Sequence, residues 1–470
     1  MIHFGTGGWR AVIGDGFTRE NLQIIAQAMS RKMKDELCAD EGMMIGYDRR
    51  FLSKEAMQWL AEVFAANGIE TWLINKSCPT PVVMYLVQKE KRHYGMMVTA
   101  SHNPAIYNGI KVFTSGGRDA DVTVTRNIER YAEAVKTPVA YMEYREALAK
   151  GLVHEIYPIN DYIDFILGDI DGEAIRDAHL RLALDPMYGV SETAIKTIMI
   201  TCRAEVETIH GGHDALFGGH MPAPEKMLMQ ELSAFVTMRG CDLGIATDGD
   251  ADRIGIIDDK GRYLDANAVM LILYWYLVTY RGLKGPVVRN LCTTHALDRL
   301  AESFGEKCYE VPVGFKWVSA EMERTHAVIG GESSGGMAIT GRTRGKDGVY
   351  AAALLVEMIA RTGRKISEIY DDLWNQYGHS VFMADNYSFR PELKDAFMHR
   401  IMTEKQLPEL PYETDHVSYM DGCKVYFKNG GWVSVRFSGT EPLLRIFCEL
   451  PEGEDTAEVS RIWRDFLGIA

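Results

Sequence analysis

The segment GMMVTASHNP, residues 95–104, sets a polar loop directly behind a run of apolar residues. The apolar run predicts a strand over 95–99, and Pro104 ends regular structure. Ser101 then follows the carboxyl end of that strand, beside His102, in a turn-forming context. An exposed serine hydroxyl in this position can carry covalent chemistry, although the same residues also fit a simple turn.

Strand-like and helix-like segments alternate on both sides of this loop. The pattern predicts strands over 43–47, 70–74, 180–185, 242–247, 286–288 and 327–330, and helices over 54–67, 82–91, 190–199 and 295–304. This βαβ order is typical of α/β domains whose sheets are largely parallel. In each of three successive rounds a polar loop lies at or near a strand end, which is where ligands bind in open α/β sheets.

The pattern changes near residue 380, where short strand-like segments follow one another. They are 417–419, 423–427, 432–435 and 444–447, with a closing helix over 454–467. Gly430-Gly431 lies in a hairpin-like position between two of them. We therefore expect three similar α/β domains with mixed, mostly parallel sheets and a smaller C-terminal α+β domain. The expected domain ranges are 1–150, 151–253, 254–375 and 376–470.

Composition narrows the class of protein. The 470 residues carry a formal net charge of −14, which disfavours general affinity for nucleic acid. The eight cysteines are scattered singly, which argues against a zinc site and a disulfide scaffold. No signal-peptide pattern opens the chain, and the most apolar run, 268–278, is too short for the ~20 residues of a membrane span. We expect a cytoplasmic monomer or homodimer with no nucleic-acid or membrane partner.

A second polar loop, DGDADR at 248–253, follows the strand predicted over 242–247. Asp248, Asp250 and Asp252 alternate with small residues, so their carboxylates can converge on one hard cation. Mg²⁺ is favoured because it binds few carboxylates together with phosphate oxygens. Two alternatives stay open, a solvated acidic turn and an aspartyl-phosphate site of the haloacid-dehalogenase pattern with Asp248 as nucleophile and Asp250 as acid/base. The third carboxylate, where that pattern has Thr or Val, favours metal binding.

A third loop, GESSGG at 331–336, combines glycines with an acceptor, Glu332, and a hydroxyl, Ser334. Such a pair suits sugar hydroxyl groups, and a plain glycine-rich turn is the alternative. Isolated basic residues near other turns are further candidates, and each of them could equally be structural. They are Arg10, Lys111 and Lys316.

A fourth loop, RFSGTEP at 436–442, is followed closely by Arg445. A forked guanidinium, two hydroxyls and an exposed glycine amide can form a cradle for phosphate. The groups concerned are Arg436, Ser438, Gly439 and Thr440. An ordinary loop with a structural arginine is the alternative.

Taken together, a serine loop, an acidic triad, a sugar loop and a phosphate loop fall in this order, one in each expected domain. The chain thereby resembles the α-D-phosphohexomutase family, which includes phosphoglucomutases, phosphomannomutases and phosphoglucosamine mutases. The resemblance runs from TGGWR at 6–10 to Arg445, and TASHNP and DGDADR are its most specific motifs.

The resemblance implies a role for each candidate. Ser101 would be phosphorylated in the resting enzyme, and Asp248, Asp250 and Asp252 would bind Mg²⁺ together with an oxygen of that phosphate. The reaction site would be lined by Arg10, His102, Lys111 and Arg253, with Lys111 as our candidate for proton transfer. Substrate would be held by Lys316, Glu332, Ser334, Arg436, Ser438, Gly439, Thr440 and Arg445.

The implied reaction moves phosphate between the 1- and 6-positions of a hexose through a bisphosphorylated sugar, with glucose 1,6-bisphosphate as activator. Two positions depart from commoner patterns, Gly7 and Gly335-Gly336, since many phosphomannomutases and phosphoglucosamine mutases have Gly-His at the second. The absence of that histidine favours glucose as the sugar of the substrate, with phosphomannomutase and phosphoglucosamine mutase activities as alternatives. A Mg²⁺-dependent sugar phosphatase and a non-catalytic sugar-phosphate binder are hypotheses of other classes.

Overall fold

The computed structural model describes residues 2–5, 7–437 and 443–469. It contains four β-sheets in chain order, and helices flank the first three. The predicted fold class, three α/β domains followed by a smaller α+β domain, is confirmed. Among the residues described, no helix combines the length and apolar composition needed to cross a membrane.

The first sheet carries the serine loop. Its strands are β1 Phe4–Gly5, β2 Gly8–Val12, β3 Met43–Tyr47, β4 Thr71–Ile74, β5 Tyr94–Val98, β6 Tyr107–Thr114, β7 Arg118–Asp119 and β8 Val153–Ile156. Its helices are α1 Arg19–Asp35, α2 Ser53–Ala66, α3 Thr80–Lys89, α4 Val122–Glu133 and α5 Tyr144–Ala149. The order is β1-β2-β6-β5-β3-β4-β8, with β7 on β6. Because β5, β3, β4 and β8 are parallel, their carboxyl ends share one edge.

The second sheet carries the acidic loop. Its strands are β9 Arg181–Asp185, β10 Glu205–Thr208, β11 Leu243–Thr247, β12 Ile254–Ile257 and β13 Tyr263–Leu264. Its helices are α6 Ile159–Leu167, α7 Gly172–Ala178, α8 Glu192–Thr201 and α9 Gln230–Arg239. Strands β10, β9 and β11 are parallel, and β12 returns antiparallel to β11.

The third sheet has the same plan. Its strands are β14 Val287–Asn290, β15 Cys308–Val311, β16 Ile329–Gly331 and β17 Met337–Ile339. Its helices are α10 Ala266–Thr279, α11 Ala296–Ser303, α12 Phe315–Thr325, α13 Gly348–Thr362 and α14 Ile366–Leu373. Strands β15, β14 and β16 are parallel, and β17 returns antiparallel to β16 across the sugar loop.

The last sheet is antiparallel throughout. Its strands are β18 Ser380–Ser388, β19 Thr414–Ser418, β20 Cys423–Phe427, β21 Trp432–Phe437 and β22 Leu443–Pro451. Its helices are α15 Lys394–Met398 and α16 Thr456–Leu467. The order is β18-β22-β21-β20-β19. The phosphate loop lies between β21 and β22.

The expected boundaries at 150 and 253 fall before β8 and β12, which pair with the first and second sheets.

One apolar core joins the three α/β domains. It runs from α3 through α8 to α10 and α13, with Val83, Ile195, Leu271 and Leu354 fully buried. Helix α10 is buried along most of its length, as its uninterrupted apolar run predicts. The fourth domain has a separate core around Val435 and Trp463 in a different cluster. The shared core fixes the first three functional loops relative to one another.

Candidate active site

Ser101 is fully buried and points at the acidic loop. Its φ of 53° is in the left-handed region that disfavours side chains, and such strain clusters at functional sites. Its amide donates to Thr99 Oγ1 at 2.8 Å, and its hydroxyl donates to Asp248 Oδ2 at 2.6 Å. The prediction of an exposed hydroxyl is wrong in this respect, because the acidic loop of the second domain covers the serine.

A buried arginine, Arg50, holds the serine loop in shape. Its guanidinium donates to four carbonyl oxygens, those of Ser101 (2.7 Å), Asn103 (2.6 Å), Pro104 (2.9 Å) and Tyr107 (3.0 Å). Asp48 Oδ2 lies 3.4 Å from Arg50 Nε and balances its charge. Sequence reasoning missed Arg50. The available signal was the polar triplet Asp48-Arg49-Arg50 directly after the predicted strand over 43–47.

Asp248, Asp250 and Asp252 are buried, and one carboxylate oxygen of each lies within 4.8 Å of the others. The Oδ1 atoms of Asp250 and Asp252 have no hydrogen-bond partner among the residues described. Burial and the two neighbouring carboxylates raise the pKa of Asp248 to about 8. A hard divalent cation would satisfy the unpaired oxygens and let all three groups ionise together. The residues present therefore fit a metal site.

Two lysines already approach these carboxylates. Lys111 Nζ donates to Asp250 Oδ2 at 2.6 Å and to Asp252 Oδ2 at 2.5 Å. Burial opposes its charge, but Asp250 and Asp252 raise the pKa of Lys111 above its usual value. Lys346 Nζ lies 2.9 Å from Asp252 Oδ2. Lys111 is thus held in its protonated form beside the triad.

Sequence analysis noted Gly336 but did not identify Lys346, whose side chain packs against Gly336 in the structure. A Cβ added at Gly336 would lie 2.2 Å from Lys346 Cδ. Real side chains do not approach that closely, so the absence of a side chain at 336 lets the lysine stem pass. The pair belongs together: glycine gives the space, and lysine brings a cation to the acidic triad.

Arg10, His102 and Arg253 line the same site. Arg10 Nη1 donates to Asn103 Oδ1 at 2.7 Å, and Arg253 Nε lies 3.9 Å from Asp248 Oδ2. The Arg253 guanidinium, with burial and Arg10, holds the pKa of His102 well below its ordinary value. His102 Nδ1 is 3.4 Å from Ser101 Oγ, and no described carboxylate pairs with the imidazole. The relay of a serine hydrolase is therefore not assembled around Ser101.

Backbone contacts tie the loops of three domains together. From the first domain, the Thr80 amide donates to the Asp250 carbonyl at 2.9 Å, and its hydroxyl donates to Asp250 Oδ2 at 2.6 Å. From the third domain, the Gly348 amide donates to the Ala251 carbonyl at 3.2 Å. A β-bridge also links Arg253 with Gly336 of the sugar loop. The serine, acidic and sugar loops thus form one site.

The sugar loop presents one fixed and one free group. Glu332 Oε1 accepts from the Gly314 amide at 2.8 Å and from Asn290 Nδ2 at 3.1 Å, which fixes the carboxylate. Ser334 is exposed. Lys316, on the turn that begins at Gly314, lines a small cavity together with Lys111. The lining of this cavity includes none of the three aspartates of the triad, and the role of Lys316 as a substrate ligand stays a prediction.

The phosphate loop is described in part, since Ser438, Gly439 and Thr440 lie outside the described residues. Arg436 and Arg445 face each other directly across β21 and β22. Arg436 Nη2 donates to Asp421 Oδ2 at 2.7 Å, but the Nε atoms of both arginines lack partners among the residues described. Like charges directly opposite in a sheet are destabilising. An anion between the two guanidinium groups would relieve that repulsion.

Comparison with known proteins also divides the chain into four successive domains. Models of the phosphoglucomutase/phosphomannomutase family match four successive parts of the chain: α/β/α domain I over 1–138, domain II over 160–261, domain III over 265–377 and the C-terminal domain over 401–465. Every domain of that family is therefore present, in order.

Individual relatives match over nearly their full length. The chain is 26% identical to a "phosphoglucomutase/phosphomannomutase" of Thermococcus kodakarensis, covering 97% of this chain and 96% of the relative. It is 29% identical to a "probable phosphoglucosamine mutase" of Methanocella arvoryzae, covering 96% and 94%. The crystal structure of parafusin, a phosphoglucomutase of Paramecium, shares the fold with a TM-score of 0.83 at 20% identity, covering 100% and 96%. The names of these relatives refer to different sugar phosphates as substrates.

Proposed function

We propose that this chain, which belongs to the phosphoglucomutase/phosphomannomutase family and is an intramolecular phosphotransferase, interconverts glucose 1-phosphate and glucose 6-phosphate through a phosphoserine at Ser101. The hydrogen bond of 2.6 Å between Ser101 Oγ and Asp248 Oδ2 carries the proposal, because it places the serine at the edge of a buried carboxylate triad. The basic groups around the triad supply the charge that a phosphoryl group needs.

The proposed reaction has two balanced transfers. In the first, a sugar hydroxyl oxygen bonds to phosphorus, the bond from phosphorus to Ser101 Oγ breaks, and the proton of the sugar hydroxyl ends on the departing Ser101 Oγ. After the bisphosphorylated sugar turns round, Ser101 Oγ bonds to the other phosphorus, the bond from that phosphorus to the sugar oxygen breaks, and the Ser101 hydroxyl proton ends on the sugar oxygen. Mg²⁺, bound by Asp248, Asp250 and Asp252, would neutralise charge on the moving group.

Basic residues around the triad would support the transfer. Arg253 and Lys346 lie beside the triad and oppose the charge of the phosphoryl group. Lys111, whose pKa is raised, stays charged beside the triad and would neutralise charge on the phosphoryl group, and it is also our candidate for proton transfer. Arg10, joined to the serine loop through Asn103, limits where the substrate can lie.

The sugar must bind in two orientations, so its idle phosphate needs a separate anchor. Arg436 and Arg445 are suited to that task, with Ser438, Gly439 and Thr440 as further ligands. Glu332 and Ser334 would contact sugar hydroxyls in both poses. Added glucose 1,6-bisphosphate would restore the phosphoserine when it is lost, which makes it the expected activator.

The pair formed by Gly336 and Lys346 supports glucose as the sugar. Many phosphomannomutases and phosphoglucosamine mutases carry histidine after the glycine of this loop, and here the lysine stem fills that space. A compact ammonium on a flexible stem differs from an imidazole in reach and donor geometry. Mannose and glucosamine phosphates are the competing substrates.

The test follows each sugar by phosphorus NMR. The protein is incubated with Mg²⁺, a trace of glucose 1,6-bisphosphate and, separately, the 1-phosphates of glucose, mannose and glucosamine. Fastest formation of the 6-phosphate from glucose supports the proposal, and Ser101→Ala, a small change in a loop, should abolish it without unfolding. Faster conversion of mannose or glucosamine would reassign the sugar, and release of inorganic phosphate alone would indicate a phosphatase.

A further inference from the structure

A cavity separate from the acidic triad lies between the first and second domains. Its volume is about 560 Å³, within the ~300–1,000 Å³ range of small-molecule sites. It opens beyond the carboxyl ends of β3, β4 and β8, on the same edge of the sheet as the serine loop. Open α/β sheets bind ligands at this edge, and the proposed mechanism leaves this part of it unused.

The cavity wall is cationic in a strongly acidic chain. The lining includes four basic residues, Arg49, Arg50, Lys54 and Lys76, and two acidic residues, Asp48 and Glu55. The whole chain, in contrast, has a formal net charge of −14. Asp48 is already balanced by Arg50. Among the described residues Lys54 has no hydrogen bond or ion pair, and Lys76 only lies over the Tyr157 ring, with Nζ 4.8 Å from its centroid. Two ammonium groups are therefore available to an anion.

Four helices start at this cavity, which adds to its positive potential. They are α2, α3, α6 and α8, and their N-cap residues are Leu52, Pro79, Pro158 and Ser191, none of which makes a side-chain cap. At α3 the Thr80 amide already donates to the Asp250 carbonyl and Pro81 has no amide hydrogen, so the amides of the other three helices are the ones that an anion could meet. The first amides of a helix need an acceptor from outside it, and the helix dipole favours negative charge there. Several uncapped helices around one cavity with free lysines favour a phosphate group.

Flat and apolar side chains make up the rest of the wall. Tyr47 and Tyr157 contribute rings, Ile74 and Val190 contribute aliphatic surface, and Phe51 is 60% exposed although it is a large apolar residue. Planar rings stack on such side chains. We propose that this cavity binds a small phosphorylated compound that carries a planar ring, of which a nucleoside diphosphate is the simplest.

Such a ligand would contact the segment that holds the serine loop. Arg50 contributes to the cavity wall and donates its hydrogen bonds to the carbonyls of the serine loop. Its neighbour Arg49 donates from Nη1 to the carbonyls of Gly211 (3.0 Å) and Gly212 (3.1 Å) in the second domain. Occupancy of the cavity therefore stiffens both the serine loop and the contact between the two domains.

The test measures binding of ADP to the full chain by isothermal titration calorimetry, without divalent cation. We expect one site, and we expect Lys54→Glu/Lys76→Glu to weaken it by about a hundredfold, near tenfold for each lysine–phosphate ion pair removed. Lys226→Glu/Lys284→Glu is the matched control, since both lysines are exposed and lack ion pairs in the described part of the chain. It should leave ADP affinity within about twofold of the wild type.

Further measurements separate this site from the active site and test its two parts. Saturating glucose 1,6-bisphosphate should not displace ADP, so the outcome is independent of the proposed mutase reaction. Pyrophosphate should bind more weakly than ADP, and Tyr157→Ala should remove that difference. ADP should slow amide hydrogen exchange over residues 101–107. The proposal is overturned by absent binding at millimolar ADP, by displacement with the bisphosphate, by equal weakening in the control, or by unchanged exchange.

Discussion

Gly336 and Lys346 show how two residues distant in sequence combine into one functional feature. The lysine stem crosses the face of the glycine, and its ammonium lies 2.9 Å from Asp252 Oδ2. The position of the Lys346 ammonium depends on the absence of a side chain at 336, because a Cβ there would displace the lysine stem. A substitution at Gly336 should therefore lower activity more than it lowers stability.

Gly336→Ala should lower kcat about tenfold or more, since the ion pair between Lys346 and the triad is broken or lengthened. The melting temperature should change little, because the clashing atom belongs to a flexible side chain. Steady-state kinetics and thermal unfolding measure the two effects. Gly212→Ala is the control, since a Cβ there meets nothing within 4 Å.

A double-mutant cycle checks that the two residues act together. Lys346→Ala should itself lower kcat, and adding Gly336→Ala to it should cost nothing further, because the clash no longer exists. Losses that simply multiply in the double variant would show that Gly336 acts independently of Lys346.

At this scale the sequence predicted the residues that belong to compact motifs. Ser101 and the three aspartates are recognisable because their chemistry and spacing are local. Arg50, Thr80 and Lys346 were missed because each acts on a residue far away in the chain. Arg50 binds carbonyls more than fifty residues downstream, and Thr80 bonds Asp250. Periodicity and spacing do not encode such pairs.

At the scale of elements, all four functional loops connect neighbouring antiparallel strands. The serine loop joins β5 to β6, the acidic loop joins β11 to β12, the sugar loop joins β16 to β17, and the phosphate loop joins β21 to β22. In the first three domains the preceding strand also pairs in parallel within its sheet. The alternation of strands and helices was predictable from hydrophobic pattern, whereas the antiparallel returns that close each loop were not.

The facing arginines of β21 and β22 predict that phosphate stabilises the fourth domain. Inorganic phosphate should raise the melting temperature of the wild type, because it binds the folded state and relieves repulsion between Arg436 and Arg445. Arg445→Met should lose this rise and lower kcat/KM by about 10- to 100-fold, as one charged ligand of the phosphate is removed. Differential scanning fluorimetry and initial rates measure these effects.

Arg461→Met supplies the comparison, since Arg461 is an exposed arginine on α16 of the same domain. It should keep both the response to phosphate and the kcat/KM of the wild type. An equal response to phosphate in Arg445→Met and Arg461→Met would place the anion elsewhere.

At the scale of the molecule, the fourth domain has its own core and is joined to the third through a buried carboxylate. Glu449 accepts four hydrogen bonds, from Thr294 Oγ1 (2.8 Å), the His295 amide (2.9 Å), Ser380 Oγ (2.7 Å) and Trp432 Nε1 (2.9 Å). Two of these donors belong to the third domain. The contact therefore connects the fourth domain to the third.

Glu449→Gln should weaken this connection. The amide nitrogen cannot accept, so two buried donors lose their acceptor at about 1–3 kcal/mol each. Calorimetry should show the fourth domain unfolding at a lower temperature, and kcat/KM should fall. Glu452→Gln, at an exposed carboxylate nearby, should leave both unchanged. A single unshifted transition in Glu449→Gln would show that the connection lies elsewhere.

The most direct test of the account is the chemical identity of the phosphorylated residue. The protein is incubated with Mg²⁺ and glucose 1,6-bisphosphate labelled with ³²P, then denatured and mapped by mass spectrometry. We predict one acid-stable phosphate on the peptide containing Ser101, none in Ser101→Ala, and transfer of the label to added glucose 1-phosphate. A hydroxylamine-labile phosphate on Asp248, or a labelled Ser101 that does not pass its phosphate to sugar, would contradict the account.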